Sequence, residues 1–411
     1  MKVMTAYTSY WGTWGERPFR VRVFPGGLTL SLDMHHKVRV YTYDAEGRPW
    51  TFLLGGKTYR RALNGVMLVK WRDPGRPRER RRLTPEEARR VEAQARQAVA
   101  EWVAALKQGR ARTEEPLPPE VWRLLERILA FDEARSQEDA QRYAQVYKPI
   151  GILPPDQYLS VVVQITEGCS FNTCTFCTFF RDRPFRIKRP DEVREHIRAI
   201  RAYLGEGLYL RKRVFLGDAN ALVVPMSRLI PLVEEVRRGL PEPAFAELYA
   251  FLDGFSGEKK RPEDYAALRE RGLRRVYIGL ESGDPGLLRF LRKPGTPEDA
   301  LRAVQAMKAG GLAVGVIILL GAGGHRFAQD HVRHTVELVR AMDLGPEDIL
   351  YFSELVVTPD MPYAREAVRE GIRPLSPEEQ QEQMQAILGG LAYSRANRPR
   401  ISKYDIREFV Y

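Results

Sequence analysis

The chain of 411 residues contains no long apolar run. A bilayer-spanning helix needs about 18 or more such residues in succession, so none is expected. Its start, MKVMTAYTSYWGTWGERPFR, lacks the apolar core of a signal peptide and carries Trp, Tyr and charge early, so a cytoplasmic protein is expected. Histidine is scarce, with six residues (His35, His36, His196, His325, His331 and His334), and cysteine is scarcer, with three. So few thiols exclude a disulfide framework. The composition, 44% hydrophobic and 29% charged, also excludes a wholly disordered or collagenous chain. The length allows two or three domains, or one barrel with an appendage.

Charge is present, and it is uneven. The net charge is +12, yet residues 1–150 hold 28 Lys and Arg against 18 Asp and Glu, a surplus of ten. A basic front part fits RNA or another polyanion, and it also fits a proteome that uses Arg as surface filler, since Arg far outnumbers Lys.

All three cysteines lie within nine residues, as Cys169, Cys174 and Cys177 in GCSFNTCTFC. Clustered thiolates on one short loop point to a metal centre. A zinc site would need a fourth ligand such as His or Asp, and no His pair stands at ligand spacing near the loop. Three thiolates holding a four-iron cluster with one iron open is the sharper reading, and buried structural thiols are the bland one.

The loop follows VVVQI, a strand apolar on both faces, and precedes a helix beginning near Pro190-Asp191-Glu192. Similar units recur. Strand 213–216 ends in Gly217-Asp218-Ala219 and strand 249–252 ends at Asp253. Strand 275–280 leads to Glu281-Ser282-Gly283, and VGVIILL opens at Gly321, Gly323 and Gly324. Strand 349–357 closes at Pro359-Asp360. Thr296-Pro297-Glu298-Asp299 and Ser376-Pro377-Glu378-Glu379 mark helix starts. Six such units predict an α/β fold with a partial, open (β/α)6 TIM-like barrel of parallel strands over residues 151–360, its chemistry at the carboxyl ends of the strands.

The ends of the chain read differently. Segments 19–24, 28–32, 37–43, 50–54 and 66–71 alternate or are β-branched between glycine turns, predicting a small antiparallel β module over 1–75. A helical linker region, 76–150, follows: Arg78, Arg80, Arg81 and Arg82 as an exposed linker able to meet phosphates, a helix from Thr84 to about Lys107, and a second spanning about 118–145. Residues 361–411 read as a C-terminal helix, 377–395, and an aromatic tail over the barrel mouth. Tyr7, Tyr10, Trp11 and Trp14 could stack on bases or serve the core.

The cysteine loop and the strand-end phrases resemble the radical S-adenosylmethionine (SAM) superfamily, in the branch with methylthiotransferases, Elongator-type enzymes and oxygen-independent coproporphyrinogen dehydrogenases. The usual signature has three residues in the first gap; here there are four, while the second gap of two matches. The resemblance covers about 155–360. It implies a [4Fe-4S] cluster on Cys169, Cys174 and Cys177, and SAM contacts from Phe176, Gly217, Asp218, Ala219, Glu281, Ser282, Arg292, Lys293 and Gly321. It also implies a small electron donor such as flavodoxin or ferredoxin. A helix-end cation is an equal account of Arg292 and Lys293, and a turn-capping carboxylate of Asp218. No cysteine remains for a second cluster, as methylthiotransferases require, and no cobalamin-type DxHxxG is present. The expected activity is reductive cleavage of SAM to a 5′-deoxyadenosyl radical acting on an unassigned substrate. The alternatives are an RNA- or tRNA-modifying enzyme of the same kind, and a non-catalytic zinc- or cluster-bearing RNA-binding protein.

Overall fold

The computed structural model describes residues 7–32, 38–76, 78–240, 243–254, 259–394 and 396–411. His35, His36, Pro77 and the start of the expected strand 37–43 lie outside the described residues. The chain forms two compact units, one of Met1–Pro149, Arg198–Lys212 and Arg407–Tyr411, the other of Ile150–Ile197 and Arg213–Ile406.

The first unit holds a nine-stranded antiparallel sheet: β1 (Thr8–Trp14), β2 (Arg17–Phe24), β3 (Gly27–Leu32), β4 (Arg39–Asp44), β5 (Pro49–Leu54), β6 (Lys57–Arg61), β7 (Met67–Trp71), β8 (Glu79–Arg82) and β9 (Ala111–Thr113). Strands β1 to β8 pair in chain order, and β9 pairs with β1. The alternation of β2 sets its faces: Phe19, Val21 and Val23 are buried, and Arg20 and Arg22 point the other way. Behind the buried face lies α1 (Pro85–Lys107), started by a capping box between Thr84 and Glu87. Its Trp102 meets Phe19 edge-on at 5.3 Å.

Two expectations change here. The helix expected over 118–145 is two, α2 (Pro119–Ala130) and α3 (Glu133–Val146). Phe131 leaves helical geometry, and the Asp132 carboxylate restarts the helix by accepting from the Arg135 N–H at 2.9 Å. The arginine run is not a linker but the edge strand β8, in register Lys70↔Arg80 with β7. Like other charged edges it resists pairing with further strands. The boundary expected at 75/76 therefore falls inside a hairpin. Two late segments also belong to this unit. Buried Arg48 bonds Asp139 at 2.7 Å and the Tyr203 carbonyl at 2.5 Å, and the Tyr411 carbonyl accepts from the Leu63 N–H at 2.7 Å.

The second unit is built on a seven-stranded, wholly parallel sheet in chain order: β10 (Val161–Gln164), β13 (Val214–Gly217), β14 (Leu248–Phe251), β15 (Leu273–Glu281), β16 (Ala313–Leu320), β17 (Ile349–Glu354) and β18 (Arg400–Tyr404). A two-residue ladder of β11 (Thr166–Glu167) and β12 (Arg186–Ile187) closes the base of the cysteine loop. The helices are α4 (Pro190–Leu204, of which the residues from Arg198 on belong to the first unit), α5 (Met226–Gly239), α6 (Pro262–Glu270), α7 (Pro285–Phe290), α8 (Pro297–Ala309), α9 (Gly324–Ala341), α10 (Pro362–Arg369) and α11 (Pro377–Leu391). This is the open, partial TIM-like barrel: six β/α strands, with no ladder between β10 and β18 among the described residues. The expected strand 349–357 stops at Glu354, and the expected helix 377–395 at Leu391. Within the segment read as an aromatic tail lies the seventh strand, β18. Tyr404 at its end is buried and donates to the Leu153 carbonyl at 2.6 Å.

Candidate functional site

The cysteine loop hangs between β11 and β12, at the carboxyl end of β10. A buried carboxylate anchors both of its ends. Asp218, just past β13, accepts from Gln164 Nε2 at 2.7 Å, from the Gly168 N–H at 3.0 Å, and from Arg183 Nε and an Arg183 terminal nitrogen at 3.2 and 3.1 Å. Gly168 precedes the first cysteine and Arg183 follows the last. Gly168 has φ +75° and a Cβ there would stand 2.8 Å from the Pro184 carbonyl oxygen, so this turn requires glycine. Burial raises the Asp218 carboxyl above its ordinary value, while Gln164, Arg183 and the Gly168 N–H oppose the rise. Inside the loop, Asn172 Nδ2 donates to the Phe180 carbonyl at 3.0 Å, and the Thr175 N–H donates to the Leu291 carbonyl at 2.9 Å.

The loop thus held turns Cys169, Cys174 and Cys177 toward one cavity of about 210 Å³. Phe176, Ala219, Glu281 and Lys293 line it too, with Asn220 and Asp253. Burial pushes the Cys177 thiol up to about 11; the Phe179 N–H opposes this, and Cys174 and Cys169 add to it. Burial likewise raises Cys174, against the pull of Lys293.

Glu281 reaches the cavity through an irregularity. The pairing of β15 with β16 slips between Gly279 and Glu281, and Glu281 takes φ +62°, a left-handed conformation rare for a residue with a side chain. Its carboxylate accepts from Lys293 Nζ at 3.3 Å. Burial works against the Lys293 charge, but Glu281, Cys174 and Asp253 outweigh it and raise its affinity for the proton. On the other side, Asn220 Nδ2 donates to Ser170 Oγ at 3.0 Å and to the Asp253 carboxylate.

Of the residues read from sequence as SAM contacts, Phe176, Ala219, Glu281 and Lys293 line this cavity. The others are placed elsewhere. Gly217 packs against Val162 and Gln164, and the Asp218 carboxylate is spent on the loop. Ser282 Oγ lies 2.6 Å from His331 Nδ1 and accepts from the Asp284 N–H at 2.9 Å, fixing the start of α7. Arg292 takes φ +50° and turns outward to Glu366, while the next residue, Lys293, turns in. Gly321 donates its N–H to Gln383 Oε1 at 2.9 Å. On residue type alone Asn220 fits a turn or a polar contact equally, and Asp253 stands only as a strand end. The sequence alone assigns no role to Ser353, Glu354 or Tyr404, which also line the cavity. Position at a strand's carboxyl end was the available signal for Asp253, Ser353 and Glu354.

His331 carries a consequence for stability. It is fully buried, and its Nε2 has no hydrogen-bond partner among the described residues. Burial lowers its pKa to about 4, with Asp284 opposing. The unfolded chain, with an ordinary imidazole near pH 6.5, takes up this proton first, so stability is full above about pH 6.5 and falls as pH drops toward 4. The expected loss is on the order of 3 kcal/mol. Urea unfolding of wild type and His331→Asn at pH 7.5 and 4.5 checks it: the wild type should lose more stability between the two pH values than the variant.

The donor set can be tested against the groups that fit it. Among the described residues no three His, Cys, Asp or Glu side chains close on a single-ion site. Among the described residues no histidine lines the cavity, and of its carboxylates Glu281, Asp253 and Glu354 the first two are bonded to Lys293 and Asn220. Three sulfurs without a fourth protein ligand fit a four-iron cluster with an open iron, and leave a structural zinc shell incomplete.

The parallel open barrel presents three loop cysteines to one cavity. Residues 163–339 match the model of the radical SAM superfamily, whose cofactors are a [4Fe-4S] cluster and SAM. Among curated proteins the chain is similar to an uncharacterized protein of Methanopyrus kandleri, with 28% identity over 197 residues, 46% of this chain and 35% of that one. It is also similar to an uncharacterized methyltransferase of Pyrococcus horikoshii, with 25% identity over 202 residues, 47% of this chain and 40% of that one. The chain spans well under half the length of these relatives. Among solved structures, coproporphyrinogen III oxidase of Escherichia coli aligns over 61% of this chain and 55% of that one, with a TM-score of 0.43 and 15% identity. Radical SAM enzymes need a reductant as well as a substrate. No helix of the described residues is long and apolar enough to cross a membrane.

Proposed function

We propose that Cys169, Cys174 and Cys177 each hold one iron of a single [4Fe-4S] cluster, and that the enzyme abstracts hydrogen from a substrate entering the same cavity. When bound, the cluster and SAM together supply a 5′-deoxyadenosyl radical. The observation that carries the reading is that the chain's three cysteines all line one cavity at the carboxyl ends of parallel strands. The remaining roles follow from the lining. The carboxylates of Asp253 and Glu281 suit the ammonium and sulfonium of SAM, and Lys293 suits its carboxylate. Phe176 offers a ring face for the adenine. Phe171, Phe179, Phe180 and Phe251 make the walls apolar and exclude water from a reactive intermediate.

The lining also narrows the substrate. Among the described residues its one cation, Lys293, is bonded to Glu281, and no arginine lines the cavity. A phosphate entering here would meet carboxylates and aromatic rings without a partner. The part of the substrate that reaches the reacting position is therefore apolar and carries no phosphate. A flavodoxin or ferredoxin is the proposed reductant.

Anaerobic reconstitution tests the reading. The expected protein is brown, binds about four irons per chain, and releases 5′-deoxyadenosine from SAM when reduced with dithionite. A colourless protein holding one zinc ion and leaving SAM intact overturns it.

A further inference from the structure

The surplus of positive charge in the first 150 residues has a structural address, and it differs from the arginine run that the sequence singles out. Within that run Arg80 is paired with Glu408 at 3.3 Å and Arg81 with Glu87 at 2.7 Å, so these two are committed inside the first unit. The sheet has a second face, away from α1. In β1, Tyr7 precedes the strand and shares this face with Ser9 and Trp11, opposite Arg22 and Arg20 of β2 in the registers Ser9↔Arg22 and Trp11↔Arg20. The same rows continue to Thr29 and Ser31 of β3. Arg112 joins from the other side, opposite Thr13.

Three observations set this face apart. Tyr7 is 61% exposed, Trp11 49% and Val38, just before β4 and on the same face, 48%; these are three of the five large hydrophobic side chains exposed among the described residues. Each of the two rings carries a guanidinium: Arg22 stands 4.4 Å from the Tyr7 ring centroid and Arg20 5.2 Å from that of Trp11. No carboxylate is paired with Arg20 or Arg22 among the described residues, whereas Arg48, Arg61, Arg81, Arg90 and Arg127 of the same unit each have one. Solvated rings, uncommitted guanidinium groups and rows of hydroxyls on one pleated surface match the chemistry of a single nucleic-acid strand. Bases stack on rings, phosphates meet Arg, and hydroxyls serve base edges and sugars. An anionic membrane would meet the charge, but it asks for a broad apolar surface where this face has Ser and Thr between its rings.

We infer that the outer face of β1, β2 and β3 binds single-stranded RNA, through stacking on Trp11 and Tyr7 and phosphate contacts from Arg20, Arg22 and Arg112. The inference concerns the first unit alone and stands whether or not the cysteines hold a cluster.

Fluorescence anisotropy of the full chain with a labelled, mixed-sequence RNA of about 15 nucleotides tests it. The wild type should bind, and its affinity should fall steeply as salt rises from about 50 to about 200 mM. Arg20→Glu with Arg22→Glu should weaken binding at least about tenfold and flatten the salt dependence. Trp11→Ala, which leaves the charge intact, should weaken binding by about tenfold. Arg289→Glu with Arg340→Glu, an equal charge change on exposed helices of the other unit, should leave binding within about twofold. Unchanged thermal midpoints show that the variants fold. Absence of RNA binding by the wild type overturns the inference. So does equal weakening by the control pair, an undiminished affinity in Trp11→Ala, or tighter binding to phosphatidylglycerol vesicles than to RNA.

Discussion

Alanine in place of any one of Cys169, Cys174 or Cys177 is expected to reduce 5′-deoxyadenosine formation by at least about 1000-fold while changing stability by less than about 1 kcal/mol. The two effects separate because the sulfur atoms carry little of the fold. The loop is held by Asp218, Asn172 and Thr175, and the Cys177 sulfur accepts the Phe179 N–H. A thiol lost from an iron site cannot be replaced by a neighbour, since these are the chain's three cysteines and none of the described histidines lines the cavity. Iron analysis and product chromatography on one side, and thermal unfolding of the metal-free protein on the other, measure the pair of results. A large drop in the unfolding midpoint of all three metal-free variants, with iron retained, would point to structural thiols instead.

Asp218→Ala should give the opposite pattern: a stability loss of about 3 kcal/mol, followed by loss of iron as a secondary effect. The substitution removes an acceptor used by Gln164, Gly168 and Arg183, and leaves the Arg183 guanidinium buried with Asp182, itself solvent-facing, as its carboxylate partner. Breaking a buried pair from one side costs more than the pair contributes, because the remaining charge is stranded. Asp218→Asn keeps an acceptor and should recover roughly half of the loss. Chemical unfolding of both variants without metal gives the stability terms. Iron binding after reconstitution then reports whether the loop still presents its cysteines together.

Much of the second unit could be read from sequence because its strands are apolar on both faces and are interrupted by strong helix caps. Seven of the eight residues of β16 are buried, and α8 and α11 begin at the boxes that Thr296 and Ser376 announce. The strand β18 could not be read in this way. Only Tyr404 of its five residues is buried, so no hydrophobic pattern marks it, and its pairing depends on β17 being in place. In the first unit, Glu79–Arg82 is a strand only because β7 offers an edge; its local chemistry is that of a solvated loop. At the site, the cysteines, Glu281 and Lys293, singled out by residue type and strand-end position, line one cavity. Asp218, Ser282 and Arg292 are turned to other partners, since direction depends on backbone details invisible in the sequence: the slip at Gly279, and the left-handed Arg292 that sends neighbouring cations to opposite sides.

Neither unit is a continuous piece of chain, and this governs the order in which it can be finished during synthesis. The nine-stranded sheet is translated early, yet its partners Tyr203 and Tyr411 come from segments 198–212 and 407–411. At about 5–20 residues per second, the ribosome needs some tens of seconds to deliver them. During that interval the nascent sheet lacks the carbonyl that Arg48 binds and the one that Leu63 binds. Protection by a chaperone should matter most then, and truncations ending anywhere between 150 and 406 should leave the early sheet incomplete and prone to aggregation.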